Sequence, residues 1–148
     1  MWFKTFIHKN RIDTQGWPNH PLYNQLCEKA YLLLPKLKFK RYQIGPGKLS
    51  FISKEKMVVS IIHGGYDMPY VYIGTRENPE ICCSWKPLEY YLDPLTPISK
   101  KHQNLKSFYD FEYDYDLIKN YYKEILHLID NPKEYKEWES TEESENSF

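Results

Sequence analysis

The 148-residue chain is poor in cysteine (three) and glycine (six), and its 20 basic and 20 acidic side chains leave no net charge. Each shortage excludes a class of function. Cys27, Cys82 and Cys83 are an odd set, two of them adjacent. Neighbouring strand residues point to opposite faces, so Cys82 and Cys83 are poorly placed to bridge each other. No C-x-x-C pair or Cys/His zinc spacing occurs. The five histidines form neither H-x-x-x-H nor H-E-x-x-H, so no metal is expected. Gly45-Pro46-Gly47-Lys48 lacks the spacing of a phosphate-cradling loop, and no dinucleotide fingerprint is present; no cofactor is expected. No apolar run approaches the ~20 residues that span a bilayer. Residues 1–8 have neither a continuous apolar stretch nor a small-residue cleavage site. The expectation is a cytoplasmic protein whose reduced thiols pack as small hydrophobes. The neutral total also argues against a general binder of nucleic acid or membrane surfaces.

What the chain does have is aromatic side chains and a divided charge. Its 4 Trp, 14 Tyr and 7 Phe make up 17% of the residues. Residues 1–108 carry 16 basic and 8 acidic groups, whereas 109–148 carry 4 and 12. The length suits one domain able to bury about 68–70% of its unfolded surface without a staple.

Periodicity predicts an α+β fold. Pro21 suits a helix start, and Leu22, Leu26, Ala30 and Leu33 recur at helical spacing until Pro35, giving a helix over 21–34. Alternation then predicts strands over 38–44, 49–53, 57–63, 70–74 and 81–85, joined by short turns at 45–47, 54–56, 64–67 and 75–79. Such connections favour an antiparallel meander of about five strands. Pro87 opens a helical turn over 88–92, and 94–104 reads as a surface loop. Asp116 or Asp114 is expected to cap a closing helix in which Ile118, Tyr121, Tyr122, Ile125, Leu128 and Ile129 share a face. Asn131-Pro132 ends it. The expected organisation is one domain over 1–132 with an N-terminal and a C-terminal helix, then an acidic, partly disordered tail over 133–148. A further helical turn around Tyr135 and Trp138 fits the first part of that tail.

Few fragments carry chemistry. His63-Gly64-Gly65 resembles an oxyanion-hole segment, but no G-x-S-x-G elbow accompanies it, and a turn after a core strand explains the glycines. Cys82 or Cys83 with His63 would make a thiolate–imidazole pair if neighbouring strands brought them together. Lys36-Leu37-Lys38-Phe39-Lys40-Arg41 interleaves cations with apolar residues; strand alternation with a wet basic face accounts for it without a partner. The most distinctive segment is 109–116. As a strand it would put Tyr109, Phe111, Tyr113 and Tyr115 on one side. Asp110, Glu112, Asp114 and Asp116 would line the other, about 6.6–6.8 Å apart. That row reads either as a charge-protected edge strand or as a strip for a basic partner built from Tyr109, Asp110, Glu112, Tyr113, Asp114 and Asp116.

The order of elements, with Trp85-Lys86-Pro87-Leu88-Glu89-Tyr90-Tyr91-Leu92 after the strands and Asp116-Leu117-Ile118-Lys119-Asn120-Tyr121-Tyr122 in the closing helix, resembles small bacterial immunity-type proteins. These are single-domain inhibitors encoded with polymorphic toxins. The resemblance covers most of 20–130 and rests on layout and a loose W-x-P-L-x-x-x-L. It implies a non-catalytic protein that binds and occludes a toxin through an acidic surface. Two alternatives stand beside it. One is a small enzyme with a carboxylate or Cys83/His63 in an aromatic pocket. The other is a self-associating protein, a homodimer in which the basic half of one copy meets the acidic half of another.

Overall fold

A computed structural model describes residues 21–45, 47–63, 69–84, 86–94 and 110–141. Helix α1, Pro21–Leu33, buries Tyr23, Leu26, Cys27 and Ala30, an i, i+3, i+4, i+7 stripe facing the core. Pro35 does not stop the chain at once. It starts a tight 3₁₀ turn over Leu34–Leu37, closed by Lys38 in a left-handed conformation.

Five strands follow: β1 Lys40–Gly45, β2 Lys48–Ile52, β3 Val58–Ile62, β4 Tyr70–Gly74 and β5 Cys82–Cys83. They pair antiparallel in sequence order, the expected meander. Register and burial give the sheet an apolar face of Leu49, Phe51, Val59, Ile61, Val71, Ile73 and Cys82. On the other face one row runs Gln43, Ser50, Ser60, Tyr72, Cys83 across all five strands. Ser50 and Ser60, both fully buried, satisfy each other through an Oγ–Oγ hydrogen bond of 2.8 Å. A bulge at Tyr42 interrupts β1. At the end of β4 only glycine fits, because a Cβ on Gly74 would stand 2.2 Å from the Asn78 carbonyl oxygen.

Among the described residues four more helices follow: α2 Lys86–Leu92, α3 Phe111–Asn120, α4 Tyr122–Asp130 and α5 Lys133–Glu139. With the sheet they confirm the expected α+β class. Helices close over the apolar face: Tyr31 of α1 meets Phe51 edge-on at 5.4 Å, and Leu117, Ile118, Ile125, Leu128 and Ile129 join the same core. The expected turn around Tyr135 and Trp138 is α5, and Tyr135, 2% exposed, belongs to that core. Asn131 ends α4 as expected. The turn at 64–67, the loop over 95–104 and the end of the tail from 142 lie outside the described residues.

One expectation is overturned. The segment 110–116 is not a strand but the capped start of α3. Asp110 has extended backbone, and its Oδ1 accepts the Glu112 N–H at 3.0 Å, so the N-cap lies four to six residues earlier than Asp114 or Asp116. Phe111, Asp114, Leu117 and Ile118 all face inward, and that 3.6-residue period prevails over the period of two.

Candidate functional site

The change from strand to helix takes the acidic row apart. Tyr109 lies outside the described residues. Asp110 caps α3 and, with Glu112, receives Lys29 from α1: the Lys29 Nζ stands 3.5 Å from Asp110 Oδ1 and 2.9 Å from Glu112 Oε1. The Glu112 bond, opposed by desolvation and helped by the Asp110 charge, raises the Lys29 pKa. Tyr113 and Asp114 are 6% and 2% exposed. Asp116 is half-buried, and its carbonyl accepts the Asn120 side-chain amide at 2.8 Å. The helix brings Asp110 and Glu112 together on one ammonium but turns Tyr113 and Asp114 inward.

Asp114 sits in a buried polar cluster between β5 and α3. Desolvation pushes its carboxyl up to about 8, against the Ser84 hydroxyl and its own backbone amide, which favour the ionised form. Neither Asp114 Oδ2 nor Ser84 Oγ completes a hydrogen bond of good geometry. Burial also raises the Tyr113 phenol, helped by the charges of Glu89 and Asp114. At neutral pH the Asp114 carboxyl is therefore held mostly as the neutral acid.

The thiol–imidazole pair is not formed. Cys82 is buried, its Sγ on the Ile73 carbonyl at 3.6 Å, and burial pushes the thiol up to about 12. Cys83 pairs with Tyr72, on the face away from the core. His63 follows β3 on the core side, with its ring 5.4 Å from that of Tyr23 of α1. The sheet stands between them. None of the three cysteines forms a disulfide.

Sequence periodicity missed a second surface, made by α2 and α5. Trp138 lies 5.0 Å from Tyr91 and 6.2 Å from Tyr90, ring centroid to centroid, and is stacked on Tyr135 at 5.9 Å. Tyr91 meets Tyr135 edge-on at 5.1 Å. Tyr135 anchors the group in the core, while Tyr90, Tyr91 and Trp138 are half-buried. Beside them Glu134 acts on Tyr91 and Glu139 on Tyr135, and α5 also exposes Glu137, Lys133 and Lys136, the last 3.7 Å from Glu139. Partial burial and Glu134 raise the Tyr91 phenol, keeping it a neutral donor. The only signal in the sequence was the pair Tyr135 and Trp138 beside Tyr90-Tyr91, which are brought together by tertiary packing rather than by spacing.

Among the described residues no group of three or more His, Cys, Asp or Glu side chains is placed to hold a metal ion. No helix there is long and apolar enough to cross a membrane. Compared with known families, curated proteins and solved structures, the chain has no significant match.

Proposed function

We propose that this chain is a non-catalytic cytoplasmic binding protein that meets a basic protein partner through the aromatic surface of α2 and α5. The partner class is a toxin domain, as the resemblance to bacterial immunity-type proteins implies. One observation carries the reading: Tyr90, Tyr91 and Trp138 stand half-exposed on a buried Tyr135, beside the carboxylates of Glu134 and Glu139. Aromatic anchors within a polar rim are how binding energy is concentrated at protein interfaces, since large rigid rings bury area at low entropic cost. Those carboxylates would speed and select the approach of a cationic partner.

The test is affinity capture from the native host with the wild-type chain and with Tyr90→Ala/Trp138→Ala, followed by kinetics on the captured protein. The expected partner is basic, binds the double variant at least ~30-fold more weakly, and associates more slowly with Glu134→Gln/Glu137→Gln at low salt. A partner whose affinity neither variant changes would overturn the assignment.

A second reading, a small enzyme acting through a carboxylate in an aromatic setting, is favoured by the raised pKa of Asp114. Burial of that carboxyl at 2% exposure favours the binding reading, because a reacting atom must be reached by substrate.

A further inference from the structure

Two described non-glycine residues have left-handed backbone, Lys38 (φ 65°) and Lys56 (φ 74°). Both stand at one end of the sheet. Lys38 closes the 3₁₀ turn, its N–H on the Pro35 carbonyl at 2.9 Å. Lys56 closes the β2–β3 turn, its N–H on the Ser53 carbonyl at 3.0 Å, while the Ser53 N–H reaches Met57 at 2.9 Å. Glycine is the residue such positions ordinarily take, because a Cβ is crowded there.

The two turns meet on Tyr122 of α4. Its ring lies 6.2 Å from that of Phe39, and its hydroxyl lies 2.6 Å from Ser53 Oγ and 2.5 Å from Glu55 Oε1. Lys40 pairs with Ile52 at the same end. Lys36, Lys38, Lys40, Lys54 and Lys56 are thereby gathered there, all exposed. None of the five makes an ion pair among the described residues, and the one carboxylate in the two turns, Glu55, accepts from Tyr122.

We propose that this cationic end of the sheet binds the phosphate backbone of a nucleic-acid duplex without reading its sequence. Lysine is depleted from the centres of protein interfaces, where arginine and aromatic residues dominate, so a lysine cluster suits a phosphate array better than a folded partner. Among the described residues at this end the rings are already engaged, Phe39 being buried and Tyr122 held by Ser53 and Glu55. Base stacking on single strands is thus not offered. A duplex presents one phosphate per about 1.7 Å of axis, the densest array that closely spaced ammonium groups can meet. The neutral composition conceals the site because the balancing carboxylates lie elsewhere in the chain, 12 of the 20 acidic residues falling in 109–148.

The experiment is fluorescence anisotropy of the full chain with a labelled duplex DNA across a salt series. Expected is binding at low salt, with the logarithm of affinity falling against the logarithm of salt at a slope of about −4.5 when all five lysines are engaged. Lys54→Glu/Lys56→Glu should weaken binding at least about tenfold. Lys38→Gly/Lys56→Gly should weaken it while raising the melting temperature, and Lys38→Arg/Lys56→Arg should preserve it. The glycine pair separates loss of charge from loss of fold. No binding at low salt, affinity unmoved by the glutamate pair, tighter binding to a single strand, or tighter binding to phosphatidylserine vesicles would each overturn the proposal.

Discussion

Asp114 shows how much one side chain's environment can decide. Two residues on either side are acidic or aromatic, which makes the segment look like a wet edge, yet this carboxyl is 2% exposed. The usable signal was its place three residues after Phe111 and three before Leu117, which puts it on the inner face of a helix. Burial raises its pKa from 3.8 to about 8. The folded state then holds a proton that the unfolded state has released, so the contribution is fully present below about pH 4 and is lost as pH rises through about 8. Urea midpoints of the wild type should therefore fall between those limits. Asp114→Asn, which cannot ionise, should flatten that decline and be more stable than wild type at pH 8, by on the order of 1–3 kcal/mol. Parallel pH profiles for the two proteins would refute this account.

At the scale of elements, strands were the most legible part of the chain. Alternating apolar residues and short turns located β1 to β4 within two residues at every end, and the meander followed from connections too short for crossovers. The tip of the last strand was overestimated: five residues were expected and Cys82–Cys83 pair. Helix α3 was misread because its aromatics and acids happen to alternate over 109–116. Its capping carboxylate and its packing against α1, with Lys29 bonded to Asp110 and Glu112, favour the helix instead. The β4–β5 turn shows the same dependence on contacts that no spacing reveals. Thr75 N–H bonds the Asn78 carbonyl at 2.9 Å, and Asn78 N–H returns to Thr75 Oγ1 at 3.1 Å. This folds Asn78 and Pro79 tightly over Gly74. Backbone cannot yield as a flexible side chain can, so Gly74→Ala should destabilise the chain by about 2–3 kcal/mol. A denaturant midpoint within error of wild type would show that the turn relaxes freely.

At the scale of the whole molecule, the described residues redistribute the divided charge of the sequence. The positive side is sharper than composition suggested, drawn to one end of the sheet. The negative side is weaker over 110–116, where Asp114 is mostly neutral and Asp110 and Glu112 share an ammonium, and along α5 three glutamates outnumber two lysines by one. Such a polarised chain invites self-association, basic end to acidic helices. Geometry argues against it. The two surfaces are different patches of one molecule, so their contact would be head-to-tail and would continue into open chains unless the rotation happened to close. A symmetric dimer instead needs one patch that complements itself, which neither the lysine cluster nor the carboxylates beside the aromatic rings can do, because like charges would face each other. Sedimentation equilibrium should accordingly find the isolated chain monomeric at micromolar concentration, both at low salt and at several hundred millimolar. An assembly that forms at low salt and dissolves as salt screens it would mean that the two surfaces recognise each other. Neither could then be assigned to an outside partner without first measuring competition between them.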